Sequence, residues 1–225
     1  MIDPQATRHA RRQARALLAV TLVLAAVTSA QAQAATQEDH TQFSVIAGSL
    51  AFSGMPGLPT LSSVNLNGQA QTTSSTMTNF GVVDATGSGS GWNVTAEGQT
   101  GTGKSAVLAQ YCPKAKCGSE AEGYVSGGRT LAADSLTLNS TGASFAGQSG
   151  TTGTAAGMQC ASTCNIDSPT PVKVASAAVN TGMGTWQSTG FSAGSLTLST
   201  PSTLKLLPSE EIYRINLLWT LSTGP

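Results

Sequence analysis

Apolar residues recur at every second position in short runs along this chain, and no segment carries a long helical stripe. Val64 and Leu66 alternate with polar neighbours, as do Leu136 and Leu138, Val172 and Val174, Leu196 and Leu198, and Leu204 and Leu206. Successive side chains of a strand point to opposite faces, so each run has one apolar and one polar face. Turn clusters such as SGMPG, ATGSGSG, VSGG and GQSGTTGTAAG separate the runs. GKSAVLAQY has room for a turn or two of helix at most. The pattern predicts an all-β fold: a single-domain β-sandwich or barrel-like unit with long Gly/Ser/Thr-rich loops. Two stretches, 101–128 and 142–165, read as long excursions between strands.

The N-terminus has a different grammar. Arg8, Arg11, Arg12 and Arg15 precede the apolar run from Ala16 to Val27, and small residues follow at Ala30, Ala32 and Ala34. A basic segment, a short apolar segment and an A-x-A site make a secretory signal peptide, expected over 1–34. Residues 35–42 are then a flexible lead-in and 43–225 the β domain. No other apolar run approaches membrane length, so no integral membrane segment is expected after cleavage. Without residues 1–34 the chain has seven basic against ten acidic side chains. That balance gives nucleic acid nothing to bind.

The four cysteines form two close pairs, Cys112 with Cys117 and Cys160 with Cys164. Paired cysteines also suit zinc, but an exported chain meets an oxidising compartment, which favours disulfides. Local pairing predicts bridges that pin loop tips. No His/Asp cluster suggests any other metal, and no cofactor is expected.

GQTGTGKS, Gly98–Ser105, fits the phosphate-loop pattern G-x-x-x-x-G-K-[ST]. The strand expected before it, from Trp92 to Glu97, alternates apolar and polar residues, unlike the fully buried parallel strand such a loop needs. The stretch reads as a loop between strands with Lys104 in solvent, and no nucleotide is expected.

Two segments carry more. VVDATGSGSGWNVTAEG spans Val82–Gly98, and EEIYRINLLWTLSTGP closes the chain. In the latter, Tyr213, Ile215, Leu217, Trp219 and Leu221 fall on one strand face. The motifs WNV (Trp92–Val94) and WTL (Trp219–Leu221) resemble the paired Trp-x-Leu motifs of the WxL surface domain of Gram-positive bacteria. GMGTW (182–186), SLTLSTP and AGSLAFSGMP (47–56) are similar to that family's other segments, so the resemblance covers roughly 43–225. Val94 stands where the family has Leu, and the cysteine-closed excursion after Glu97 is not a family feature. The resemblance implies a secreted, cell-surface protein attached non-covalently to the cell wall, with peptidoglycan as ligand and companion surface proteins as further partners.

Trp92 and Trp219 lie on apolar faces and read first as core. Trp186 follows two glycines at a loop–strand junction, where exposure and burial are equally open. Tyr213 opens an apolar face, and Asp84 in DATG reads as a turn former. Aromatic planes also stack on sugar rings, so Trp92, Val94, Trp186, Tyr213, Trp219 and Leu221 are the candidate ligand contacts. Catalysis has little to draw on. His40 is the single histidine after the signal, which argues against a Ser–His–Asp triad. Nothing in the sequence brings two of Glu97, Glu120, Glu122, Glu210 and Glu211 together as a glycosidase pair. No catalytic residue is expected. A structural subunit with protein–protein contacts alone is the competing reading.

Overall fold

The computed structural model describes residues 38–225 except 115, 116, 118–120 and 209. The expected signal peptide and the start of the lead-in lie outside the described residues. Residues 45–225 form one compact unit; of the other, 1–44, only 38–44 are described, and they carry no regular secondary structure. Among the described residues there is no helix, and every strand pairing is antiparallel.

Four open sheets build the unit. In the first, β1 (Leu50–Gly54), β3 (Gly81–Asp84), β12 (Gly184–Thr189) and β8 (Ser144–Gly147) lie side by side in that order. The second runs β10 (Cys164–Asn165), β7 (Leu136–Leu138), β13 (Leu196–Thr200) and β2 (Gln71–Ser75). The third runs β15 (Leu217–Thr223), β4 (Trp92–Gly98), β11 (Val172–Ala177) and β9 (Gly157–Met158). A smaller sheet joins β14 (Ile212–Arg214), β5 (Ala109–Cys112) and β6 (Gly123–Tyr124). None closes into a barrel, so of the two expected forms the sandwich-like one holds.

The alternation explains the core. Trp92, Val94 and Ala96 of β4 are wholly buried, while Asn93, Thr95 and Glu97 on its other face are half-covered. Leu196 faces Leu138 and Leu198 faces Leu136 across β13 and β7, and all four are buried. A bulge in β11 between Lys173 and Ala175 turns both Val174 and Ala175 inward. Phe80 packs edge-on to Phe145 of β8 at 5.7 Å and tilts against Trp219 of β15 at 6.3 Å. Those contacts join the first sheet to the third through one shared core. Buried hydroxyls satisfy the backbone where strands turn over: Phe80 N donates to Ser188 Oγ at 2.7 Å, and Met77 N to Ser195 Oγ at 2.8 Å.

Several expectations are corrected. The runs at Val64/Leu66 and Leu204/Leu206 form no strand, and Leu66 and Leu206 are 51% and 79% exposed. GKSAVLAQY makes no helix; its end is β5, held between β14 and β6. The excursion 142–165 is not free loop either, because β8, β9 and β10 extend three different sheets. The C-terminal apolar face is split between two sheets. β14 pairs with β5 and β15 with β4. Asn216 sits at the break: its N donates to Ser105 O at 2.9 Å, its carbonyl accepts from Gln99 N at 2.8 Å, and its Oδ1 accepts from Tyr124 Oη at 2.6 Å. These bonds hand the chain from one sheet to the next.

Candidate functional site

The motif residues sit at very different depths. Trp92 is 0% exposed, its indole N–H donates to Gly182 O at 3.0 Å, and its ring meets Phe145 edge-on at 5.6 Å. Gly182 is required at that contact. Its φ is +70°, and a Cβ there would overlap the Ala177 methyl and stand 2.7 Å from Trp92 Nε1. Val94 is wholly buried beside Trp92. Trp186, for which exposure was an open expectation, is only 5% exposed. Its N–H donates to Met183 O at 3.0 Å, and its ring passes over Gly147. Trp219 and Leu221 are half-buried on β15, directly across from Ala96 and Val94. Asp84 is buried and its Oδ1 accepts from the Thr86 N at 3.1 Å and the Thr86 hydroxyl at 2.7 Å, the turn-forming bond its sequence context suggests.

Tyr213 is different: it is half-buried and lines a cleft of about 260 Å³. The 129–132 segment forms one wall and the turn at 201–205 the other, with Arg129 and Lys205 both on the lining. Leu131, Leu204 and Pro201 supply apolar surface and Thr130 and Thr203 hydroxyls. The backbone of each wall is tied down. Gln110 N donates to Arg129 O at 2.8 Å, and Arg129 N donates to Gln110 Oε1 at 2.9 Å. Leu131 N donates to Leu108 O at 2.8 Å. On the other wall, Leu204 N closes the turn onto Pro201 O at 3.0 Å, and Tyr213 Oη donates to Lys205 O at 3.0 Å. Burial raises the Tyr213 phenol above its ordinary pKa, and the Arg129 charge offsets part of the rise. Sequence reasoning named Tyr213 here but missed Arg129 and Lys205. The pairing of β5 with the 129–130 backbone and with β14 brings Arg129 to Tyr213, and the Tyr213 hydroxyl bond to Lys205 O brings in the 201–205 turn.

The neighbouring small sheet is a closed polar network. Tyr111 Oη donates to Glu122 Oε1 at 2.5 Å, Arg214 lies 4.3 Å over the Tyr111 ring, and Gln110 Nε2 donates to Glu211 Oε2. The bond to Glu122 is the chief cause that raises the Tyr111 pKa, and burial is the chief cause for Tyr124. GQTGTGKS starts on Gly98, the buried last residue of β4, and continues into the loop toward β5, exposed over 100–104 and with no helix N-terminus behind it. Gly98 is needed for packing instead: a Cβ there would collide with the Ala106 carbonyl. Cys112 is bonded to Cys117 and Cys160 to Cys164. The second bridge is not at a loop tip, since Cys160 is 1% exposed and belongs to the core. Asp167, which the sequence did not single out, is 0% exposed. Its Oδ2 accepts from Ser135 N at 2.9 Å while Oδ1 has no partner, and burial raises its pKa.

Fold and site together define an all-β, sandwich-like domain whose indoles are mostly internal and whose flank carries an aromatic, cation-lined cleft. A family model described as WxL domain surface cell wall-binding matches residues 53–225, and the chain belongs to that family. It is a cell-surface, cell-wall-associated protein. No curated protein and no solved structure shows a significant match.

Proposed function

We propose that the protein is exported through its 1–34 signal segment and attaches non-covalently to wall peptidoglycan, without catalysis. The observation that carries this reading is the extent of the family match, which takes in nearly every strand of the compact unit. Wall attachment is then a property of the folded domain rather than of a tail. Trp92, Val94 and Trp186 serve by holding the fold. Tyr213 serves as a contact, and Trp219 and Leu221 as the half-open edge of the third sheet. The non-catalytic part draws support from carboxylates already engaged, Glu122 with the Tyr111 hydroxyl and Glu211 with Gln110.

A second reading, docking to companion surface proteins, is favoured by the end position of β15 in its sheet and by the exposed side chains of Ile212 and Leu218. Sedimentation with purified peptidoglycan, run beside pulldown on companion proteins, tests both. Co-sedimentation supports the glycan reading. Protein that stays in the supernatant with peptidoglycan but is retained by a companion supports the second.

A further inference from the structure

The described chain holds six cationic side chains, Lys104, Lys114, Arg129, Lys173, Lys205 and Arg214, against a larger number of carboxylates. Two of the six line one cleft, beside a tyrosine. Arg214 is committed to the Tyr111 ring, whereas among the described residues no ion pair holds Arg129 or Lys205. Their backbones are anchored by the bonds with Gln110 and Tyr213, so binding has the two side chains but not the loops left to order. Leu131, Leu204, Pro201 and the Tyr213 ring present apolar surface beside the two charges. A site with a planar guanidinium, a second cation, an aromatic face and short apolar walls fits a carboxylate on a small, methyl-bearing group.

We propose that the cleft between the 129–132 segment and the 201–205 turn binds a free carboxylate of the peptide stems of the wall glycan. This rests on the peptidoglycan reading above and names the chemistry recognised there. A phosphate-rich wall polymer fits less well. Polyanions are held by runs of cations, and this cleft offers two charges.

The test uses the full chain with Arg129→Gln, Lys205→Gln, both together, and Lys104→Gln as a control outside the cleft. Arg129 and Lys205 are exposed, so melting curves should match the wild type. Binding is measured to soluble muropeptides with free or amidated stem carboxylates, and to sacculi with or without their phosphate polymers. Each cleft substitution should weaken binding of the free-acid muropeptide about tenfold, the loss of one charge-assisted hydrogen bond. Amidation should weaken the wild type similarly and leave the double variant unchanged. Wild-type protein that sediments with stripped sacculi while the cleft variants bind equally well would overturn the cleft assignment and leave the wall reading standing. Wild-type protein that fails on every sacculus would overturn both. Losses seen only on sacculi that retain phosphate polymer would assign the site to that phosphate and refute the carboxylate.

Discussion

Replacing Trp92 by alanine separates an indole that builds the domain from one that touches ligand. Its side chain is completely buried, so the substitution removes the whole of its apolar burial and leaves a cavity walled by Phe145 and Ala177. Such deletions cost about 3 to 5 kcal/mol. Gly182 O also loses the donor that reaches it at 3.0 Å, which adds about 1 kcal/mol or more if no water replaces it. In a domain of this size 1 kcal/mol moves the melting point by about 2 to 4 °C, so a combined loss of about 4 to 6 kcal/mol gives an expected fall of roughly 8 to 24 °C. Trp219 is half-buried, and its alanine variant should lose about half as much. The assay is urea unfolding followed by fluorescence, paired with wall binding well below each variant's midpoint. Trp92→Ala should bind walls normally per folded molecule. Stability within 1 kcal/mol of wild type, together with lost binding at low temperature, would refute the assignment of this ring to the core.

Three further outcomes follow from named contacts. Gly182→Ala should destabilise the domain strongly, because positive φ and overlap with Ala177 and Trp92 Nε1 act together; a melting point equal to wild type would contradict that packing. Asp167 has its folded pKa raised by burial, so between the ordinary carboxylate value of about 4 and its folded value the native state holds more protons than the unfolded one. Its contribution to stability is greatest below about pH 4 and falls as pH rises through that window. The difference in urea midpoint between wild type and Asp167→Asn should change across it, and a constant difference would count against the buried carboxyl. Loop closure is worth about 2 kcal/mol for each short disulfide in the chain-entropy model. The Cys160→Ala/Cys164→Ala variant should lose more than the Cys112→Ala/Cys117→Ala variant, because Cys160 lies in the core; equal losses would argue against that difference.

Strands buried on one face by neighbours on both sides were legible from alternation alone. Trp92, Val94 and Ala96 show it, as do Leu136/Leu138 and Leu196/Leu198. The same alternation at Val64/Leu66 and Leu204/Leu206 misled because a strand also needs a neighbouring strand, and among the described residues those backbones pair with none. β2, QTTSS, was invisible for the opposite reason: its residues are polar, yet β13 supplies a full register of partners. The break at Asn216 was hidden inside an unbroken apolar pattern, since its polar bonds to Ser105, Gln99 and Tyr124 rather than hydrophobicity decide it. Trp186 could not be placed from its two preceding glycines, because the covering surface comes from the distant β8. The cleft was illegible apart from Tyr213, as its two cations come from loops whose local sequence says nothing about each other.

The most direct test of wall attachment through peptidoglycan is competition. Protein bound to purified walls stripped of other proteins and polymers is challenged with increasing soluble peptidoglycan fragments, and the bound fraction is measured. Recognition of the glycan itself predicts saturable binding to the stripped walls and complete, dose-dependent release by the fragments. Failure to bind the stripped walls, or binding that the fragments do not displace at saturating concentration, would contradict it.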